Sequence, residues 1–386
     1  MRMKGLMLFS IASFAASSAA LAQESFVIRE AFQAPIISSI SGVNGEGWYV
    51  REGYDEEERF QAVLVGPSEY QRDLSAFVSE GRSPTGVSSN GDLFLAESAS
   101  RGKTKILRLP REESLPVEVG VLKTGRDNSS VRTNNLGDTL AVTFEGSRSK
   151  IRGIRVTTLS KDGKISLKRS DLRLSLPIKD LYVQLFPESQ GSFTIVARRI
   201  GAAQTKSQKA VCTGRSDSKD LVCQVGRGAT LGGGSILTAS NGKLLVADSS
   251  GASIVDASTL KVERTLTDDS GNTALLTSFI EADGTLGALV QDFPTDVVRL
   301  KRIAPSGKSS SYLCPSSLGW QSLIFPGEYI GSIDRGSTGF LVSGWNEGSE
   351  GSARRYRVYE LTAENASTDA VSKIVGRCEI EVPHAN

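Results

Sequence analysis

The chain reads as all-β, a single seven-bladed propeller of four-stranded blades behind a cleaved export signal. Three observations predict this: a glycine-anchored phrase recurring seven times, a spacing too short for a domain, and a basic-then-apolar start. The phrases are GEGWYVRE at Gly47, NGDLFLAE at Gly91, LGDTLAVTF at Gly137, QGSFTIVAR at Gly191, NGKLLVAD at Gly242, DGTLGALVQD at Gly284 and TGFLVSGW at Gly339. Each is a turn followed by an apolar, alternating strand, the signature of a half-buried β-segment. The anchors lie 44, 46, 54, 51, 42 and 55 residues apart. A period in that range holds one supersecondary unit of about four strands, the repeat of a propeller.

The signal comes first in the chain. Arg2 and Lys4 open it, Gly5 to Phe14 is apolar, and Ala20-Leu21-Ala22 offers small residues for cleavage after Ala22. Residues 1–22 are therefore assigned to the signal and 23–386 to the propeller. No stretch reaches the roughly 20 apolar residues that span a bilayer. A periplasmic or secreted, monomeric protein without a transmembrane segment is expected. Removing Arg2 and Lys4 leaves 43 basic and 43 acidic residues, so no global field steers the mature chain onto nucleic acid.

Two blades read completely. In the second, Pro84 to Ser88, Asp92 to Glu97, Lys105 to Leu109 and Leu115 to Leu122 are strands, with Asn90-Gly91 as a tight turn. In the fifth, Ser235 to Ala239, Leu244 to Asp248, Ser253 to Asp256 and Lys261 to Leu266 repeat the pattern. One segment, Leu361 to Val375, is rich enough in alanine to read as a helix or a long polar loop. The N-terminal strand Ser25 to Arg29 is placed beside Val375 to Val382, where it would join the first and last blades.

The phrases PTGVSSNGDLFLAES and SILTASNGKLLVADSSG resemble the blades of extracytoplasmic NHL, SMP-30 and YVTN propellers. The resemblance covers those two blades well, blades one and six loosely, and implies a fold more than a chemistry. SMP-30-like lactonases hold a metal with acidic residues at the channel mouth, and the resemblance implies the same question for this chain.

Carboxylates stand at or beyond the ends of the second strands: Glu52, Glu97, Glu145, Asp248 and Asp292. Gathered at one channel mouth they would suit Ca²⁺ or Mg²⁺, which take several oxygen ligands. Glu97, Asp248 and Glu52 are the candidate metal ligands, since Glu97 and Asp248 share one offset from their anchors. The bland alternative is a carboxylate that accepts hydrogen bonds within its own turn. Other chemistries lack their parts. There is no G-x-S-x-G elbow, no Cys-x-x-Cys, one histidine (His384), and no lysine in GRGATLGGG at Gly226 to Gly234.

Charge supplies the second site. Asp55, Glu56, Glu57 and Glu58 follow the second strand of blade one, and nine basic residues lie between Arg148 and Arg173. Arg198 and Arg199 continue the basic side, and Trp345, ending a strand, is the aromatic candidate for a contact surface. Such a two-signed rim suits docking to a protein or a small polar ligand. The sequence thus offers a binding or scaffold module first and a metal-dependent hydrolase or lactonase as the alternative. Four cysteines in an exported chain predict disulfides. Cys212 and Cys223 flank a hairpin turn, which leaves Cys314 with Cys378 across blades six and seven.

Overall fold

The fold was analysed in a computed structural model. It describes residues 25–34, 36–41, 48–54, 57, 59–67, 70–79, 81–100, 102–124, 130–146, 150–174, 181–199, 208–227, 235–240, 242–248, 251–267, 272–281, 283–292, 294–318, 339–346, 355–363 and 374–381. The expected signal and its cleavage point lie outside these residues.

Strand β1 (Phe26–Ala34) belongs to the last sheet of the chain. The first blade is β2 (Ile36–Ser41), β3 (Tyr49–Tyr54), β4 (Phe60–Val65) and β5 (Gln71–Asp73), followed by the short helix α1 (Ser75–Ser79). The second is β6 (Arg82–Val87), β7 (Leu93–Ser100), β8 (Lys103–Leu109) and β9 (Val117–Lys123). The third is β10 (Ser130–Thr133), β11 (Thr139–Gly146), β12 (Ile151–Leu159) and β13 (Ile165–Leu174). The fourth is β14 (Leu181–Pro187), β15 (Ser192–Arg199), β16 (Gln208–Arg215) and β17 (Leu221–Arg227). The fifth is β18 (Ser235–Ser240), β19 (Lys243–Asp248), β20 (Gly251–Asp256) and β21 (Val262–Thr267). Each is an antiparallel four-stranded sheet in sequence order.

The remaining strands are β22 (Thr273–Ile280), β23 (Leu286–Asp292), β24 (Val297–Ile303), β25 (Ser309–Cys314), β26 (Gly339–Asn346), β27 (Arg355–Ala363) and β28 (Ile374–Ile380). With β1 they form one eight-stranded sheet, ordered β22-β23-β24-β25-β28-β1-β27-β26. The expected seven four-stranded blades are overturned by this sheet. The propeller arrangement has five separate blades, and the last eight strands do not divide. The cause is an edge-to-edge junction, in which Tyr312 pairs with Ile380 and Leu313 with Glu379. Cys314 is disulfide-bonded to Cys378 at the same junction.

Turn chemistry explains the hairpins. Gly91, Gly137, Gly191, Gly242 and Gly284 all have φ between 71° and 87°, a conformation that costs glycine nothing and strains other residues. Gly91 also leaves room for a neighbour, because a Cβ there would fall 2.5 Å from the Trp48 ring. Trp48 is buried, packs edge-on to Tyr70 at 5.2 Å and carries Arg111 above it at 5.3 Å. It belongs to the core shared by the first two blades. Leu361 to Ala363 finish β27 and Ile374 begins β28, so the described ends of the expected helix are strand. Residues 364–373 lie outside the described ones. The helix that does form, α1, follows Asp73, whose carboxylate accepts from the Ser75 amide at 2.8 Å.

The N-terminal strand closes the ring. β1 lies between β27 and β28, with Phe26 opposite both Ala363 and Cys378. Phe26 is fully buried against Tyr312, edge-on at 5.1 Å, beneath the Arg302 guanidinium at 4.8 Å. Arg302 forks onto Glu281 with two 2.6 Å contacts, a bidentate pair almost removed from water. The Arg302 guanidinium loses some basicity to burial, and the Glu281 carboxylate reverses that and holds its proton more firmly than usual. Beside it, burial raises the Glu381 carboxyl, but Ser311 and Arg299 outweigh burial and hold it below the ordinary range.

Both cysteine pairs join directly neighbouring strands. Cys212 stands opposite Cys223 on β16 and β17, while Cys314 and Cys378 connect the junction of the long sheet. The first encloses a separation of 11 residues and the second one of 64. Loop-closure entropy assigns them about 3 and about 4 kcal/mol respectively. Replacing Cys314 and Cys378 together by Ser should therefore lower the urea midpoint more than replacing Cys212 and Cys223. An equal or smaller loss would mean that the junction does not depend on its cross-link.

Candidate functional site

Three of the second-strand carboxylates, Glu97, Glu145 and Asp292, are engaged by neighbours on their own sheets. Glu97 lies in register with Arg82 on one side and Lys105 on the other. Arg82 donates through Nε at 2.8 Å, and that hydrogen bond holds the Glu97 carboxyl below its usual range. Glu145 is 3.8 Å from Arg155 and 3.9 Å from Arg169. Asp292 accepts from the Thr295 hydroxyl at 2.7 Å. Glu52 is half-buried on β3, opposite Ser39 and Ala62. Asp248 ends β19 opposite Gly251, and its side chain is outside the described ones. Among the described residues no three acidic, histidine or cysteine side chains gather as a metal site.

The acidic run lies largely outside the described residues, which include only Glu57 of the four. Glu57 is exposed and pairs with Arg59 at 3.0 Å. Arg198 sits over the Tyr182 ring at 5.0 Å. Arg199 stands opposite Leu181, and Trp345 opposite Tyr356 on β27, with no description of either side chain.

The basic side forms a surface that the strand order builds. A hairpin returns each strand to the end its predecessor left, so the start of β8, the end of β9, the start of β12 and the end of β13 share one rim. Three cross-strand pairs of like charge occur on these blades: Lys103 with Lys123 at this rim, Arg198 with Lys209 near it, and Arg155 with Arg169 midway along their strands. Glu145 lies between the two arginines of the second pair. Lys209 is buried, and burial followed by the nearby Arg198 charge lowers its affinity for a proton. Lys103, Lys123, Lys150, Arg152 and Arg173 are exposed, with no acidic partner among the described residues. Next to them runs a groove of about 970 Å³ lined by Glu145, Arg152, Arg169 and Asp171. Gly153 lies in register between Glu145 and Asp171, so no side chain fills the space between the two acids.

The opposite rim carries residues that sequence reasoning passed over. Glu188, three before the Gly191 anchor, is buried and accepts from Thr194 and from the Gly242 amide of the next blade. Glu281 has the same offset from Gly284 and holds Arg302. Ser88 and Asn134 occupy that offset before Gly91 and Gly137, where their carbonyls accept from the glycine amide. A polar residue three before each of these anchors was the available signal. These side chains connect the frame and face no open site.

Scanning protein-family models finds no match for the chain, and curated proteins give none. The resemblance to NHL, SMP-30 and YVTN propellers thus stays at the level of the blade phrases. Among solved structures the chain is similar to a prolyl endopeptidase, with 13% identity over 91% of this chain and 50% of that one, and a TM-score of 0.49. It is similar to the acylaminoacyl peptidase of Pyrococcus horikoshii, with 10% identity over 81% and 49% and a TM-score of 0.46. A Bacteroides fragilis protein proposed to be a 6-phosphogluconolactonase shares 14% over 86% and 92%, with a TM-score of 0.40. The chain spans about half the length of the two peptidases. Likeness at this level carries no argument about activity.

The pairing of Glu97 with Arg82 makes a direct prediction. Millimolar Ca²⁺ or Mg²⁺ should leave the melting temperature unchanged, and EDTA should do the same. A rise that disappears in Glu97→Gln would place a metal at this carboxylate after all.

Proposed function

We propose that the chain is an exported binding module that docks an acidic partner protein through the rim of blades two to four. The exposed like-charge pair of Lys103 and Lys123 carries this reading, with Lys150, Arg152 and Arg173 exposed beside it. Like charges directly opposite one another cost roughly 0.2–1 kcal/mol where unlike ones would gain it. A fold that satisfies its turns and ion pairs elsewhere keeps such a local violation where function needs it. Basic residues also stand opposite one another in the next two blades, where Glu145 bridges Arg155 and Arg169 and Lys209 is buried opposite Arg198.

Two features favour a protein over a uniform polyanion. The groove beside the cations also presents Glu145 and Asp171, so its field is two-signed and rewards a mixed, oriented surface. The described cations have few exposed aromatic neighbours, and single-stranded nucleic acid needs stacking platforms. Two disulfides suit an oxidising compartment. Among the described residues no helix is long and apolar enough to cross a membrane. Association through such a rim is fast at low ionic strength and falls as salt shortens the Debye length from ~10 Å at 0.1 M.

A photo-crosslinker at Arg152, on the rim, should capture acidic proteins in the exporting cell, with yield falling as salt rises. The same probe at Lys219, on the opposite rim, is the control. Identical adducts from both positions, or none from Arg152, would refute the assignment.

A further inference from the structure

The groove on blade three contains an ion pair of unusual geometry. Two cross-strand rows lie two residues apart on one face of this blade. The first is Thr143, Arg155 and Arg169, and the second is Glu145, Gly153 and Asp171. Gly153 contributes no side chain, so Glu145 crosses above it, with Oε2 3.6 Å from where a Gly153 Cβ would stand. The other oxygen, Oε1, reaches back to both arginines. It is 3.8 Å from Arg155 Nη1 and 3.9 Å from Arg169 Nε.

Neither contact is a hydrogen bond, which needs about 2.7–3.2 Å. Arg155 donates instead to the Thr143 hydroxyl at 3.0 Å, and Arg169 makes no hydrogen bond among the described residues. A guanidinium carries five N–H donors, so most of the donors in this pair have no acceptor among the described residues. The Glu145 side chain is 46% exposed and that of Arg169 62%. Ion pairs as wet as this add little to stability. Asp171, across Gly153 in the same groove, has no cationic partner among the described residues. The arginine pair therefore holds one internal acid by charge alone, at a groove of about 970 Å³.

We infer that Arg155 and Arg169 form the seat for a carboxylate of the partner, and that Glu145 occupies this seat in the free protein. The inference rests on the docking reading above and gives it an address and an internal competitor. Glu145 identifies the chemistry, because the group that the pair already attracts is a carboxylate. An aspartate or glutamate side chain of the partner would displace Glu145 into solvent and accept the unused N–H donors at hydrogen-bond distance. Displacement takes a share of the affinity, since only the fraction of molecules with a vacant seat is competent to bind.

Titration with poly-L-glutamate tests this. Glu145→Gln should tighten binding by about two- to fivefold, the worth of a partly exposed ion pair. Asp171→Asn removes the same charge from the same groove without vacating the seat, and should give a clearly smaller gain. Arg169→Gln should weaken binding, and adding Glu145→Gln to it should gain no more than Asp171→Asn does. Equal gains from Glu145→Gln and Asp171→Asn, or a full gain that survives Arg169→Gln, would overturn the seat. Binding that falls in Lys123→Gln but ignores Glu145→Gln would overturn the seat alone and leave the docking rim. No binding by the unaltered protein or by Glu145→Gln would overturn both.

Discussion

The insertion of β1 between β27 and β28 is the constraint on which the rest of the molecule depends. Residues 26–34 pair along one edge with residues 356–363, and residues 26–29 pair along the other with residues 374–378, all at the far end of the chain. Contacts of that sequence separation are expensive in loop entropy and form late. What rewards them is concentrated in one place. Phe26, Ile28, Tyr312, Tyr359, Leu361 and the Cys314–Cys378 pair form one buried cluster, with Arg302 and Glu281 closing over Phe26. Each fully buried side chain of this size is worth about 1.5–3 kcal/mol. The first blade meets the same sheet where β2 touches β27, so this closure also fixes where the first blade stands.

From that closure the two rims acquire different characters. On one, tight turns are bonded from blade to blade. The Ser89 amide donates to the Asn135 carbonyl, Glu188 takes the Gly242 amide, and Thr85, Thr133 and Thr139 share a chain of hydroxyl contacts. These bonds leave few groups free to meet a partner. The other rim carries the strand ends at which Lys103, Lys123, Arg152 and Arg173 stand exposed. A stiff rim therefore supports a charged one, the arrangement that lets a charged surface keep its orientation without ordering on contact.

Much of the frame was legible in the sequence because it rests on local chemistry. Asn90-Gly91 and its counterparts specify a turn whatever lies around them, and the alternation after each gives a strand. The cysteine pairing was legible for the same reason, since Cys212 and Cys223 flank one hairpin. The merged sheet was not. Whether β25 and β28 meet edge to edge depends on two backbone registers, Tyr312 with Ile380 and Leu313 with Glu379, and a repeat count contains no information about edges. Glu97 shows the limit at the site. Its offset from Gly91 matches that of Asp248 from Gly242, but Arg82, fifteen residues upstream, stands directly across the strand and takes the carboxylate. Cross-strand neighbours decide such roles, and they become visible only with the register. The basic side of blades two to four was legible as charge. Its like-charge pairing was not.

A docking role for the rim requires that the Lys103–Lys123 pair be kept at some cost to the fold. Urea unfolding of Lys123→Gln, paired with its affinity for poly-L-glutamate as an acidic probe, tests both halves in one variant. The account predicts a gain of roughly 0.2–1 kcal/mol in stability, from relief of the like-charge contact, together with weaker and less salt-dependent binding. A loss of stability, or unchanged binding to the acidic probe, would contradict it.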